Sequence, residues 1–413
     1  MNTKTSHSAL ARSNPVFMTA KTAICLMAKA GMDYAAEILH ALGLNVNKPL
    51  QSMNDPDVIL GNAVVVEAKY NTMCRLIEKS GYHICVDLPC GYTPKALQLS
   101  EKGIRFIGLD LPIVAQETKP IMLALAKHPE KISFCEVDAT NFDSLRLALK
   151  DVDEPMCITT EGMLMYFDEN EINAVVSNIC AILKIHGGVW ITPDPEVTLQ
   201  FFETFRSVFG ENSLDKLAAT RKAAERQSEV CSLDNPLIIS PMDITSSTEK
   251  AEAFIKKHGL KIDKVNLAEE MPTLNIYQQL TNEQIKNFKI AMGHCHYWVI
   301  TLDNEEPNYD NADKSATPSE LTYSIEDNIF KARISGRLDS LNAPKLLTAW
   351  EDDKGVIDRA EIECEKLEYI TSAGIRVLLM LQENLPLGVT LTKVNPSMAK
   401  ILTQKGLSKL LLI

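Results

Sequence analysis

Five short apolar runs between residues 83 and 195 constrain the chain most: HICVDLP, RFIGLDLP, ISFCEVDA, MCITTEG and GVWITPDP. Each has the length of a buried strand, and four close on an acidic residue. Helical segments separate most of them. Examples are PIVAQETKPIMLALAKH and ENEINAVVSNICAILKIHG, the second stopping on a glycine. Strands that alternate with helices at this interval bury both faces by forming a parallel sheet with helices on either side. The expected class is therefore α/β, with a Rossmann-like, mostly parallel sheet. Two later runs, KIDKVNL and HYWVITL, have no clear crossover between them and fit an antiparallel pair at the sheet edge. Upstream, NPVFMTAKTAICLMAKAGMDYAAEILHAL and VILGNAVVVEAKYNTMCRLIEK have helical spacing and predict a helical N-terminal cap.

A chain of 413 residues exceeds one ordinary core. Residues 303–319, DNEEPNYDNADKSATPS, hold almost no apolar side chain and read as a linker. The expected division is 1–302, a linker at 303–319, and a small domain at 320–413. A hydrophobic fraction of 46% with a charged fraction of 23% is that of a soluble globular protein. The formal charge of −12 argues against nucleic acid and against a polybasic membrane anchor. No apolar run approaches the roughly 18 residues of a span, and MNTKTSHSALARSNP lacks the apolar core of a secretory signal. The 10 cysteines form no C-x-x-C pair, so a reduced, cytoplasmic protein is expected.

Ligands of open α/β sheets bind beyond the carboxyl ends of the strands, where this sequence keeps its acids. Asp87 ends the first run and is followed by a turn with Gly91, which lets backbone approach a ligand. Asp110 ends the second, where an acid can accept the hydroxyl protons of a ribose. Asp138 closes the third, within reach of an adenine amino group, and Glu161 closes the fourth. Each acid alone is as well explained by a turn or helix cap. Four in strand order around one crevice favour a cofactor site.

FIGLDLPIVAQETK and TTEGMLMYF resemble the E-x-D-x-P-x-V…K stretch and the T-x-E-G-x-L-x-Y signature of the leucine carboxyl methyltransferase group. That group has the class I methyltransferase fold and includes polyketide O-methyltransferases; the similarity runs from about residue 15 to 302. The resemblance implies S-adenosylmethionine as cofactor. It assigns Asp110 to the ribose, Asp138 and Ala139 to the adenine, Gly91 to the methionine portion and Glu161 to the methionine amino group. An arginine that grips the cofactor carboxylate in the family falls near Lys69. The first loop departs from the family's L-G-x-G-x-D-T-R. Pro89 replaces a glycine and removes a backbone donor, while Thr93 and Lys95 replace an acid and an arginine.

Methyl transfer from a sulfonium is an in-line displacement, and a carboxylate acceptor needs no general base, so proximity and electrostatics suffice. Tyr166 lines the transfer region or packs on the sheet top. The acceptor pocket is expected from the N-terminal helices and from the insertion beginning PEVTLQFFETFRSVFG. The Phe201, Phe202, Phe205 and Phe209 stripe reads as core packing. His294 and His296 would share one face of a strand, but no further ligand is evident, and no metal is expected.

From Leu321 the pattern is two β-like runs and a helix, a strand and an amphipathic helix, then a strand and a terminal helical part. Gly336, Leu338 and Asp339 with Asn342, Ala343 and Pro344, then Tyr369 to Gly374, resemble the STAS domain of anti-sigma-factor antagonists. That resemblance makes Ser372 the phosphorylation switch, with Thr371 in place of the usual preceding acid, and implies a kinase or anti-sigma-like partner. Ser372 and Asp339 also read as helix caps. Two functions stay open. One is an O-methyltransferase acting on a small-molecule or protein carboxylate or hydroxyl, regulated through the STAS domain. The other is a non-catalytic regulator whose altered methyltransferase fold senses a ligand or partner.

Overall fold

A computed structural model describes residues 15–45, 50, 53, 55–210, 212–215, 235–303, 319–351, 357–404 and 407–411. They fall into two compact units, one within Asn14–Pro307 and one within Asn308–Ile413. Most of the expected 303–319 linker, and most of the insertion after the fifth strand, lie outside the described residues.

The larger unit is built on seven strands: β1 (Ile84–Asp87), β2 (Arg105–Asp110), β3 (Ile132–Glu136), β4 (Met156–Thr159), β5 (Gly188–Thr192), β6 (Leu260–Asn266) and β7 (His296–Leu302). Their order is β3-β2-β1-β4-β5-β7-β6. β1 to β5 pair in parallel, and β7 runs antiparallel to both β5 and β6. The α/β class and the antiparallel edge expected from the sequence are both present. Strand order reverses between β1 and β4, which places a topological switch point, the usual ligand crevice of such sheets, at their carboxyl ends.

Local chemistry sets the helices. Helix Pro56–Ser80 starts with an Asp55 cap and proline in its first turn, and stops at Gly81, which has φ 74°. Helix Glu169–His186 carries a full capping box, Asp168 with Glu171. The first helical stretch is two helices rather than one, Pro15–Lys29 and Ala35–Ala41, because Gly31 and Tyr34 adopt positive φ. Phe205 on helix Val197–Phe209 is fully buried against Val58, flanked by Phe201 and Phe209, so three rings of the aromatic stripe pack as core, while the partly exposed Phe202 lies beneath the Arg206 guanidinium. A Cβ at Gly61 would come within 2.6 Å of the Phe205 ring.

The smaller unit is a four-stranded sheet, β8 (Glu320–Glu326), β9 (Ile329–Leu338), β10 (Arg359–Ile370) and β11 (Val389–Thr392), ordered β11-β10-β9-β8. β8 and β9 form a hairpin whose turn residues Asp327 and Asn328 both have positive φ, as a twist-matched two-residue turn requires. β9 alternates fully buried residues with less buried ones, Phe330, Ala332, Ile334 and Leu338 on one face and Lys331, Arg333, Ser335 and Arg337 on the other. Helix Ser372–Asn384 crosses so near the end of β9 that a Cβ at Gly374 would lie 2.3 Å from the Leu338 carbonyl. Asp339 accepts from the Leu341 and Asn342 amides just before helix Ala343–Glu351, in agreement with its reading as a cap. The second capping assignment is corrected. Thr371, not Ser372, is the N-cap of helix Ser372–Asn384, its hydroxyl accepting from the Gly374 amide. Ser372 is the first helical residue, and its side chain lies outside the described residues.

Gly188 opens β5 at φ 113°, and a Cβ there would sit 1.9 Å from the Met156 carbonyl oxygen. Gly188→Ala should therefore destabilise the larger unit by on the order of 3 kcal/mol through combined strain and overlap, read as a lowered urea midpoint.

Candidate active site

The connection after β1 is held by its own residues. The Leu88 amide donates to Thr159, the Cys90 amide to Leu109, and the Thr93 hydroxyl to the Cys90 carbonyl. The Gly91 carbonyl accepts from the Thr118 hydroxyl, with Gly91 at φ 53°. Tyr92 is buried, and its hydroxyl donates 2.6 Å to Glu117, which also pairs with Lys21 of the first helix. Thus Thr93 and Lys95, where the family pattern is lost, both have defined partners.

Two charged groupings form at the carboxyl edge of the sheet. In the first, Asp87 and Lys95 are both essentially inaccessible and meet at 2.8 Å, and the same Asp87 Oδ1 accepts 2.6 Å from the Thr159 hydroxyl. Glu161 stands 3.8 Å from the Lys95 ammonium and 3.8 Å from that of Lys69. The charges alternate in sign, from Asp87 through Lys95 and Glu161 to Lys69. Burial works to neutralise Lys95, but the Asp87 and Glu161 carboxylates outweigh it and hold the ammonium well above its usual range. Burial raises the Glu161 carboxyl, and the two lysines oppose that rise. Among the described residues Glu161 accepts no hydrogen bond.

In the second grouping, Asp110 at the end of β2 accepts 2.7 Å from the Gly91 amide and 2.7 Å from the Leu111 amide. Burial pushes its carboxyl up to about 7 against the pull of those two amides. Its Oδ2 also accepts from the Cys90 thiol at 3.8 Å; a carboxylate has about four lone-pair sites, so Asp110 is oriented by these donors and still able to accept.

The predicted residues therefore separate. Asp87, Glu161 and Lys69 come together, joined by Lys95; Gly91 and Asp110 touch directly. Asp138 and Ala139 lie on the connection after β3. Asp138 accepts from the Thr140 amide and hydroxyl, and the Ala139 carbonyl accepts from Asn178. Tyr166 is half-buried on the short helical turn Leu164–Tyr166 after β4. The histidine pair does not share a strand face. His294 sits in the turn before β7, and only His296 belongs to the strand, its amide donating to Glu196. Among the described residues no group of three or more His, Cys, Asp or Glu side chains could hold a metal.

Sequence reasoning missed two buried acids in the PDPE segment after β5. Asp194 accepts from the amides of Gly162, Met163 and Leu164 at 2.7, 2.9 and 2.9 Å, which fixes the loop carrying Glu161 and Tyr166. Glu196 accepts from the His296 amide and the Trp298 indole, tying the same segment to β7. The only signal was two acids beside prolines immediately after a strand.

No family model matches the chain, and no curated protein matches it. Solved structures similar to it include a DUF574 family protein from Streptomyces avermitilis, at 12% identity over 64% of this chain and 95% of that one, TM-score 0.43. Another is an O-methyltransferase family protein from Burkholderia thailandensis, at 11% identity over 60% and 59%, TM-score 0.32. A third is human N-acetylserotonin methyltransferase, solved with S-adenosylmethionine, at 11% identity over 64% and 61%, TM-score 0.32. At such identities these likenesses assign no residue role and no activity.

Asp110 gives a pH test with a defined sign. Its folded value is about 7 against an ordinary 3.8, so between those values the folded chain holds a proton that the unfolded chain has lost. Its contribution to stability is complete below about pH 4 and is lost as pH rises through 7. Urea melts at pH 5 and pH 8 should show the wild type losing on the order of 2 kcal/mol more than Asp110→Asn over this interval.

Proposed function

We propose that the chain is an S-adenosylmethionine-dependent O-methyltransferase acting on a carboxylate or hydroxyl acceptor, within a soluble cytoplasmic protein. No described helix is long and apolar enough to cross a membrane. The observation that carries the reading is that two groupings, Asp87 with Lys95, Glu161 and Lys69, and Asp110 with Gly91, stand at the carboxyl edge of the sheet around its switch point. The donor set fits such a cofactor. Asp110, steadied by the Gly91 and Leu111 amides, accepts the ribose hydroxyls. Glu161, which accepts no hydrogen bond among the described residues, takes the amino group, and Lys69 takes the carboxylate. Gly91 admits the methionine portion to the backbone, while Asp138 and Ala139 flank the adenine.

When bound, S-adenosylmethionine supplies a methyl group on a sulfonium whose departure needs no proton. The chain's task is then alignment and exclusion of water, with Tyr166 lining the transfer region. The acceptor is a small molecule or a protein group.

The regulatory part of the proposal concerns residues 320–413, read as a STAS domain joined through 303–319 to the catalytic residues 1–302. Phosphate placed on Ser372 by a kinase partner would add negative charge at the first turn of helix Ser372–Asn384 and exclude the surface of an anti-sigma-like partner. A second reading, a non-catalytic sensor, draws support from the first loop, where Pro89 lacks a backbone donor and Thr93 and Lys95 stand in place of an acid and an arginine.

Calorimetric titration of the full chain with S-adenosylmethionine separates the two. Binding that Asp110→Ala weakens at least tenfold, about 1.4 kcal/mol, with the melting curve retained, is the expected result. No heat at millimolar cofactor sinks the enzyme reading, and methyl transfer to any acceptor sinks the sensor.

A further inference from the structure

The open face of the smaller sheet is patterned in rows. The strand registers place Ser324, Lys331, Glu361 and Thr390 side by side across β8, β9, β10 and β11, with Thr322, Arg333, Glu363 and Thr392 in a second such row. Each row reads hydroxyl, base, acid, hydroxyl, so a basic column on β9 lies beside an acidic column on β10. Phe330, Ala332 and Ile334 of β9 and Ala360, Ile362 and Cys364 of β10 point the other way and are buried. The charged side chains stay accessible: Lys331 is 44% exposed and Arg333 65%, while Glu361 and Glu363 keep 34% and 21%. A shallow cavity of ≈ 400 Å³ opens among them. The ion pairs already present, Arg333 with Glu363 at 2.9 Å and Lys331 with Glu326 at 2.7 Å, are exposed and therefore weak.

We propose that this face is an interface with a second copy of the chain. The row pattern selects the symmetry. A two-fold axis running along the strands, between β9 and β10, lays β9 of one copy over β10 of the other, level for level. Lys331 then faces the second copy's Glu361, Arg333 faces its Glu363, and the hydroxyls of β8 face those of β11. Every base gains an acid, and each weak surface pair becomes part of a four-charge network. An axis across the strands would instead set β9 on β9, base against base, which repulsion disfavours. Packed sheets cross at about 30°, which leaves the two central rows within reach of long Lys, Arg and Glu side chains. Four strands about 4.8 Å apart and about seven residues long offer roughly 400 Å² of face per copy, about half of what a stable interface uses. The dimer is therefore weak and salt-dependent, held by charge and not by apolar burial.

Sedimentation velocity of the full chain tests this. At low salt the wild type should form a concentration-dependent dimer that dissociates at high salt. Arg333→Glu and Glu363→Arg should each weaken the dimer about tenfold or more, because symmetry replaces two attractive contacts with two like-charged ones. Mixed in equal amounts, the two single variants should recover a dimer, since each acid then meets a base. Arg333→Glu with Glu363→Arg in one chain keeps both the cross-strand pair and the facing pairs. It should dimerise as the wild type does, yet form no heterodimer with fluorescently labelled wild type, and it carries the test should a single variant fail to fold. A wild type that stays monomeric at low salt, which leaves the face to another protein or a polar ligand, overturns the proposal. So does a dimer that survives both single reversals, a mixture of the two that stays monomeric, or a heterodimer of the double variant with wild type.

Discussion

The buried Asp87–Lys95 ion pair is the interaction on which the crevice depends. Removing both charges from water is expensive, and a partnerless charge left at this depth costs on the order of 3–5 kcal/mol. The pair is tolerable because Thr159 adds a hydrogen bond to Asp87 and Glu161 adds a second negative charge near Lys95. It also links three pieces of chain, since Asp87 ends β1, Lys95 opens the following helix and Thr159 ends β4. The loop between Asp87 and Lys95 is thereby closed on itself, which is how Thr93 and Lys95 replace the acid and arginine of the family pattern without leaving the turn unsupported.

The larger sheet was legible in the sequence because β1 to β5 and β7 are short apolar runs bounded by polar turns, a signal that survives without tertiary information. The antiparallel edge was legible from what was missing, a crossover between KIDKVNL and HYWVITL. The acids at the strand ends were legible as positions. Their grouping was not, because which acid meets which base depends on strand order, and β1 lies next to β4 only after folding. Lys95 looked like a lost arginine in the sequence; in the fold it is the centre of the charge chain. Asp194 and Glu196 were illegible for a related reason. Their partners are backbone amides, which carry no sequence signature.

The smaller unit shows the same limits at shorter range. Its hairpin and alternating strands follow from residue pattern, and the Asp327–Asn328 turn could be anticipated from residue types that accept positive φ. The cap of helix Ser372–Asn384 could not be fixed that way, because Thr371 and Ser372 are equally suited and a shift of one residue decides between them. The backbone settles it, since the Thr371 amide is tied to the Leu338 carbonyl and Thr371 itself is extended.

The PDPE segment carries a mechanical implication. Asp194 grips three amides of the loop after β4, and Glu196, two residues on, grips β7. Strand β7 and the loop bearing Glu161 are thus both held from one short segment at the end of β5. β7 also reaches the charge grouping directly, because the buried Tyr297 hydroxyl donates 2.6 Å to the Lys69 carbonyl, so one strand braces both the loop that carries Glu161 and the helix that carries Lys69.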